Sequence, residues 1–346
     1  MEAMWSIPNP YAAEKINSGS ISFDKKLYFQ DIECSMAHTA MLGGLGFIEP
    51  EMSDRVIESL GAILDGLDMG TIPFDDSANS VRTFLDKLLD ERVEGASALI
   101  NSFRHENERT SGALRLYLRD EWMDMRPLLS GIISALSRCA REKAALSIAQ
   151  PLLAASMMLA RDIERMNSLC ERMNRSPLGA YSPDGPLSGT DRMMMCSSLG
   201  FSSTLQNSMD ALTDTDFCTE AVSDLAIIGA HLQRLISTLV SFDIQIPKIS
   251  PMRRLLAAPQ SFLALTMNAS SNLAFDELGD MSESACALIN SCESIKTALK
   301  MLREVLPAIS AAESEENHQA SLSSTERQLD FIEAFLAKQN DGSGRY

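Results

Sequence analysis

The chain has 346 residues, 45% of them apolar, and can therefore bury a large core. Its formal net charge of -17 repels phosphate backbones and anionic lipids, so the composition argues against binding to nucleic acid or to a membrane surface. Apolar runs such as Pro151–Ala160 are too short to span a bilayer. We expect a globular, soluble protein with neither nucleic acid nor membrane as a partner.

The cysteines indicate a reducing compartment. Seven of them are scattered from Cys34 to Cys292, mostly inside apolar helical patterns and without a Cys-x-x-Cys pair. An odd number without paired spacing is typical of reduced, buried thiols and not of a disulfide framework. The first residues, MEAMWSIPNPY, lack a basic region followed by an apolar stretch, so we expect no secretion signal there. We predict a cytoplasmic protein.

Hydrophobic periodicity predicts long helices. Apolar residues between Leu114 and Leu136 recur at spacings of three, four or seven, which describes one stripe on a helix. Phe217–Phe242 repeats close to the heptad of a packed helix seam. Helical patterns also run through Leu146–Met173 and Ser282–Leu306, and no stretch alternates with period two. The sequence predicts an all-α protein built on a bundle of long helices.

Irregular segments divide these helices. Ser176–Gly189, rich in Pro, Gly and Ser, and Asp243–Met252, with two prolines, are predicted to be crossing loops. The polar stretch Glu313–Ala320 precedes a capping-box pattern and an amphipathic segment, Leu322–Lys338, which predicts a docked terminal helix. We predict three parts. Residues 1–110 form an N-terminal helical domain, residues 111–312 form the central long-helix bundle, and residues 313–346 form a polar linker followed by a C-terminal helix.

Five segments resemble the argininosuccinate lyase family of the fumarase and aspartase superfamily. They are, in chain order, SISFDKKL (Ser20–Leu27), DIECSMAHTAML (Asp31–Leu42), RLYLRDE (Arg115–Glu121), SPLGA (Ser176–Ala180) and QNSMDALTDTDF (Gln206–Phe217). The resemblance implies the central helix bundle of that superfamily with a small N-terminal helical domain. It also implies a compact C-terminal domain, which we expect to be reduced here.

In that family the catalytic base is a serine on a mobile loop with the pattern Gly-Ser-Ser-x-Met-Pro-x-Lys-x-Asn. The corresponding segment, Asp243–Leu256, reads DIQIPKISPMRRLL and contains neither glycine nor paired serines. It is also several residues too short for a lid that closes over a substrate. A lone serine before a proline is more often a turn residue, so we do not expect Ser250 to act as the base.

A second family loop carries Thr-His, whose histidine helps to manage the proton of the leaving group. Counting back from Pro151 places Ala144 and Ala145 at that position. The metal-ligand spacing His-x-x-x-His does not occur in the sequence, and we predict no metal site and no cofactor. His38 and His231 fall in helical patterns, and we expect them to be packing or surface residues.

The third family segment, His-Thr-x-Arg-Ser-Arg-Asn-Asp, corresponds to NSFRHENE at 101–108. The resemblance implies that Arg104 and Asn107 contact substrate carboxylates. His105 and Glu106 replace the family's serine and second arginine, and we nominate them as a catalytic acid and base. The pattern is equally consistent with a solvated charge cluster at a helix end.

Two further residues are candidates for substrate binding. Ser20 occupies the position of the family's substrate-contacting serine in Ser-Ile-x-Phe-Asp, although a turn or cap residue has the same pattern. Asn207 belongs to Gln206–Phe217, whose threonines and aspartates also suit a helix N-terminus. We interpret this segment as structural and Asn207 as its residue that reaches a ligand.

Acidic residues replace groups that hold a carboxylate in the family. In Phe275–Ser284 the family's lysine corresponds to Glu283 and its glutamine to Asp280. Paired carboxylates in a desolvated pocket repel the carboxylates of a dicarboxylate ligand, which argues against argininosuccinate as the substrate. Together with Asp76 and Glu106 they favour a basic or neutral ligand, unless all four simply belong to the acidic surface.

We therefore predict an altered lyase, cyclase or isomerase that acts on a small metabolite other than argininosuccinate. The alternative is a catalytically inactive homologue that serves as a binding or hetero-oligomer partner of an active lyase. The apolar seam Phe217–Phe242 exceeds what one bundle of five helices usually hides, and the resembling family buries such surface between subunits. We expect a homo-oligomer, either a tetramer or a dimer.

Overall fold

The computed structural model describes residues 25–75, 77–78, 80–142, 147–182, 190–271, 279, 281–311 and 322–341. The chain divides into two compact units, Met1–Ser102 and Phe103–Tyr346. The described residues of both units are almost entirely helical, which confirms the predicted all-α class. The three-part division at residues 110 and 312 stays a prediction.

The first unit is a small helical domain. Its elements are a 3-10 turn and four α-helices, in chain order Lys25–Leu27, α1 (Tyr28–Gly44), α2 (Pro50–Asp68), α3 (Val81–Asp90) and α4 (Ala96–Asn101). Pro50 opens α2 at a helical position where a missing N–H is not needed. Ser80 caps α3, because its Oγ accepts a hydrogen bond from the Thr83 N–H at 3.2 Å. His38 is buried, with Nε2 3.3 Å from the Ser102 carbonyl oxygen, which makes it a packing residue.

The second unit contains the long helices. Its described α-helices are, in chain order, α5 (Glu106–Glu142), α6 (Ala149–Met173), α7 (Arg192–Ser198), α8 (Ser208–Thr213), α9 (Asp216–Ser241), α10 (Ile249–Ser271), α11 (Ser282–Ala311) and α12 (Leu322–Asp341). The 37 residues of α5 extend about 55 Å. Trp122 Nε1 of α5 donates to Asn167 Oδ1 of α6 at 3.0 Å, and Lys296 of α11 bonds Glu121 of α5 at 2.9 Å. These contacts lock neighbouring helices into a bundle.

The terminal helix α12 docks onto α5 and α6. Gln150 Nε2 at the start of α6 donates to Thr325 Oγ1 near the start of α12 at 3.1 Å. Further along, Asn167 Nδ2 donates to Gln339 Oε1 at 3.3 Å. The predicted terminal helix therefore runs alongside α6, whereas the predicted linker Glu313–Ala320 lies outside the described residues.

The two predicted crossing loops differ from the structure at their ends. Arg175–Ser176 (β1) pairs in parallel with Ser203–Thr204 (β2), so the loop predicted from Ser176 begins with a short strand. Residues 183–189 of that loop lie outside the described part of the chain. The loop predicted for Asp243–Met252 is too long, because α10 already begins at Ile249. A proline in the first turn of a helix needs no hydrogen-bond acceptor, which is why Pro251 does not delay the start of α10.

The apolar seam of α9 is buried within its own bundle. Leu225, Leu232 and Leu239 are each 0% exposed, so this seam leaves no surplus for a second subunit. The seam packs against α6, α10 and α11 of the same chain. It therefore does not support the oligomer that we expected from it. The outer helix is α10, where only Met252, Leu256, Pro259 and Thr266 are buried.

Candidate functional site

Three of the five segments that resemble the lyase family, Arg115–Glu121, Ser176–Ala180 and Gln206–Phe217, lie at one end of the second unit. This end, which we call the motif end, comprises the start of α5, the end of α6 with the β1–β2 pair, α8 and the start of α9. Ala149 at the start of α6 and residues 242–248 after α9 lie at the opposite ends of these two helices. Because the 25 residues of α6 extend about 37 Å, groups at the two ends cannot share one site within a chain.

Arg115 joins two of the family-like segments, Arg115–Glu121 and Gln206–Phe217, to the end of α6. Its side chain is 2% exposed and forms an ion pair with Asp214, the residue that precedes α9 by two positions. The Arg115 Nη1 donates to the Met173 carbonyl oxygen at 2.8 Å, and the guanidinium lies 4.1 Å from the centre of the Phe217 ring. Arg115 and Asp214 therefore hold the fold together, which agrees with the structural interpretation of Gln206–Phe217.

The nominated acid and base lie at the N-terminus of α5. His105 Nδ1 accepts a hydrogen bond from the Asn107 N–H at 3.0 Å, so the imidazole caps the helix. Burial lowers the pKa of His105, and the charge of Glu106 opposes this shift only in part. Glu106 is exposed in the first turn, where a carboxylate faces the positive end of the helix dipole. This geometry suits the alternative of a helix-end charge cluster, and the catalytic assignment stays a prediction.

Asn107 ties the start of α5 to two distant segments. Its side chain is nearly buried, and Nδ2 donates to the Leu212 carbonyl oxygen at 2.9 Å and to that of Gly279 at 3.1 Å. Both amide hydrogens are therefore used by main-chain acceptors, which leaves Oδ1 as the group that could meet a ligand. Half-buried Arg104 immediately precedes this turn.

Glu108 is a site residue that the sequence reasoning missed. It is 0% exposed, and its Oε2 accepts a hydrogen bond from the Tyr181 N–H at 2.7 Å. Burial raises the pKa of Glu108, while the Tyr181 hydrogen bond and the charge of Arg104 lower it in part. Glu108 corresponds to the final aspartate of the family pattern His-Thr-x-Arg-Ser-Arg-Asn-Asp. This correspondence is the signal in the sequence that could have identified it. Glu108 fastens the turn after β1 to the start of α5.

Asn207 caps the short helix α8. Its Oδ1 accepts a hydrogen bond from the Asp210 N–H at 3.0 Å, and the residue is exposed. Of the remaining described candidates, Glu283 lies near the motif end, four positions after the Gly279 carbonyl that Asn107 contacts, whereas Ser250 does not. Glu283 is exposed in the first turn of α11, and Ser250 is exposed in the first turn of α10 at the opposite end of the bundle. The other nominated positions, which lie outside the described residues, are Ser20, Asp76, Ala144, Ala145 and Asp280.

Residues 8–243 match the sequence model of a family described as lyase. The chain belongs to this lyase family, within the fumarase and aspartase superfamily. The argininosuccinate lyase of Heliobacterium mobile is 32% identical over 240 residues, which cover 65% of this chain and 52% of the relative. That of Oceanobacillus iheyensis is 34% identical over 240 residues, with the same two shares, 65% and 52%. This member of the lyase family thus spans about half the length of the curated relatives it matches.

Solved structures with the same fold include an EDDS lyase in complex with formate, with a TM-score of 0.72 and 16% identity, covering 94% of this chain and 89% of that one. The class II fumarase from Schistosoma mansoni has a TM-score of 0.69 and 12% identity. The match covers 90% of this chain and 80% of the fumarase chain. These likenesses confirm the predicted bundle of the fumarase and aspartase type.

The described residues bear on two classes of site. They contain no group of three or more His, Cys, Asp or Glu side chains placed to hold a metal ion. Within the same ranges, no helix has the length and apolar character needed to cross a membrane. All seven cysteines are free and buried.

A second polar cluster of this lyase-family chain lies between α6 and α9. The Asp162 side chain is 0% exposed and accepts hydrogen bonds from Arg165 Nη1 at 2.6 Å and His231 Nδ1 at 2.7 Å. Periodicity placed His231 on a helix face but could not show its buried partner 69 positions away. Burial raises the pKa of nearby Asp224 to about 6, and the charge of Glu220 adds to the effect.

Asp224→Asn should stabilise the protein at about pH 8 and change its stability little near pH 4. Because the folded pKa lies above the unfolded value of about 4, ionisation of Asp224 costs stability as the pH rises from about 4 to about 6. Screening by solvent reduces the expected gain at pH 8 to about 1 kcal/mol. Urea unfolding at both pH values measures the effect. Glu171→Gln, on the exposed face of α6, is the control. An equal gain at both pH values would contradict the assignment.

Proposed function

We propose that the chain is an altered lyase, cyclase or isomerase that acts on a small metabolite other than argininosuccinate. The observation that carries this proposal is the connection between α9 and α10. Only the residues from Phe242 to Lys248 lie between Ser241 at the end of α9 and Ile249 at the start of α10. Such a short connection leaves no room for a glycine- and serine-rich lid.

The position of Ser250 supports the same proposal. Its hydroxyl belongs to the first turn of α10, directly before Pro251, and the residue is exposed. A general base must be held within hydrogen-bond reach of the proton that it removes, in a site that limits access of water. An exposed serine is poorly suited to this requirement, which supports the proposal that a different group moves the proton in this protein.

His105 is the group that we propose for this role, with Glu106 beside it. Burial lowers the pKa of His105, so its imidazole is neutral at neutral pH and can accept a proton. Its Nδ1 accepts the Asn107 N–H, so the neutral ring carries its hydrogen on Nε2, and proton uptake at Nδ1 would require this capping hydrogen bond to open. Arg104, Asn107, Asn207 and Ser20 are the proposed substrate contacts.

A homo-oligomer completes this proposal. Most soluble oligomers are built from identical subunits, so the proposed partner is another copy of the chain. The outer helix α10 offers a surface for that copy, because Leu255, Phe262 and Leu265 are only partly covered and Met267 is 57% exposed. A tetramer or dimer is the proposed assembly. The free, buried thiols support a cytoplasmic location.

The proposal predicts that the protein does not release fumarate from argininosuccinate or adenylosuccinate. Loss of a general base slows such a step by about 10²- to 10⁴-fold. Ultraviolet absorbance of fumarate measures turnover, with the argininosuccinate lyase of Heliobacterium mobile as the positive control. The sample should first be sized by sedimentation equilibrium, where the assembly should weigh a multiple of 37.9 kDa. Turnover of either substrate at the rate of the control would overturn the proposal.

A further inference from the structure

A polar cleft of about 340 Å³ opens between α6 and α9, and its lining includes none of the site residues nominated above. Its walls are charged side chains of both helices, and its volume falls in the range of sites for small ligands. None of its residues belongs to the five segments that resemble the lyase family. Its chemistry therefore needs an account separate from the proposed reaction.

Two pairs of opposite charge fix the walls of the cleft. Arg165 lines it and is held from behind by the buried carboxylate of Asp162, at 2.6 Å. Arg172 forms an ion pair with Glu220 across the two helices. Each of these guanidinium groups already has its carboxylate, so neither adds free charge to the cleft.

The remaining lining groups carry free charge. Among the described residues, Arg161 has no hydrogen bond or ion pair, and neither do the carboxylates of Glu164 and Asp224. One guanidinium thus faces the cleft together with two carboxylates. The pKa of Asp224 is raised because burial and the charge of Glu220 outweigh the opposing charges of Arg165 and Arg172. A ligand that compensates these groups must bring both a carboxylate and cationic nitrogen, with a net positive charge.

We propose that this cleft binds a basic α-amino acid. The α-carboxylate of the ligand pairs with Arg161, while its ammonium groups lie against Asp224 and Glu164. Arg–carboxylate pairs are often bidentate, which orients one end of the ligand and leaves its side chain to reach the acidic wall on α9. This binding site goes beyond the proposed reaction and uses none of its residues.

Isothermal titration of the full chain with three probes tests the proposal. L-Lysine carries all the required groups, L-norleucine lacks the side-chain ammonium, and cadaverine lacks the carboxylate. We expect L-lysine to bind at least about tenfold more tightly than either analogue, since each lost charge-assisted contact corresponds to about one factor of ten. Equal affinity for the three probes, or no binding of L-lysine at about 10 mM, would overturn the site.

Variants assign the two ends of the ligand. Asp224→Asn should weaken L-lysine about tenfold and remove its advantage over L-norleucine, whereas Arg161→Gln should remove its advantage over cadaverine. Glu171→Gln, an exposed carboxylate of α6 outside the cleft, is the matched control and should bind L-lysine as the unchanged protein does. Circular-dichroism melting verifies that each variant is folded. Equal weakening by the control and by Asp224→Asn would also overturn the proposal.

Discussion

Asp214→Asn should lower the free energy of unfolding by about 3 kcal/mol. The substitution removes the only carboxylate that the structure places against the Arg115 guanidinium among the described residues, and that guanidinium is 2% exposed. A buried charge that loses its partner cannot recover its hydration, and measured losses for such changes are about 3–5 kcal/mol. We choose the lower value because the Asp214 side chain is 18% exposed, so water can reach part of the gap.

An exposed ion pair of the same chemistry provides the control. Arg141 on α5 and Glu333 on α12 also form an ion pair, but their side chains are 54% and 60% exposed. Glu333→Gln should therefore cost less than about 1 kcal/mol in the same urea titration. If Asp214→Asn costs no more than Glu333→Gln, Arg115 does not join the family-like segments in the way that we describe.

The sequence predicted the helices well because helix formation here follows local periodicity. The stripe of α5 and the seam of α9 appear directly in the spacing of apolar residues, and the structure buries both. Periodicity gives the buried face of a helix but not the partner that covers it. For this reason the seam of α9 was assigned to a subunit interface, although α10 and α11 of the same chain cover it.

Side-chain contacts between distant segments could not be predicted in the same way. Arg115 and Asp214 both lie in recognisable segments, yet their pairing spans 99 positions and depends on how α5 packs against α8, whose C-cap is Asp214. Glu108 looked like one more charge at a helix start, whereas burial and the turn at Tyr181 give it a structural role. The site residues nominated around His105 stay a prediction, and their capping contacts could be found only from the geometry.

Gly229→Ala should destabilise the protein by about 3 kcal/mol, although alanine favours helices more than glycine does. Gly229 lies within α9 where α10 crosses closely, and a Cβ atom there would stand 2.2 Å from the Leu256 carbonyl oxygen. That oxygen belongs to the backbone of α10 and cannot rotate away, so the two helices would have to separate. Overpacking of this kind costs about 1–3 kcal/mol or more, which exceeds the helix-propensity gain of about 1 kcal/mol.

Gly131→Ala is the control that separates the effect of the close α9–α10 contact from the effect of helix propensity. Gly131 is an exposed residue of α5, and a Cβ atom there would meet nothing within 4 Å. Its replacement should stabilise the protein by up to about 1 kcal/mol in thermal unfolding, because only the gain in helix propensity remains. Opposite signs for the two substitutions follow from a tight contact between α9 and α10. The distance between the Gly229 Cβ position and the Leu256 oxygen is 2.2 Å in the structure. A gain in stability at both positions would mean that α9 and α10 lie further apart than this distance implies.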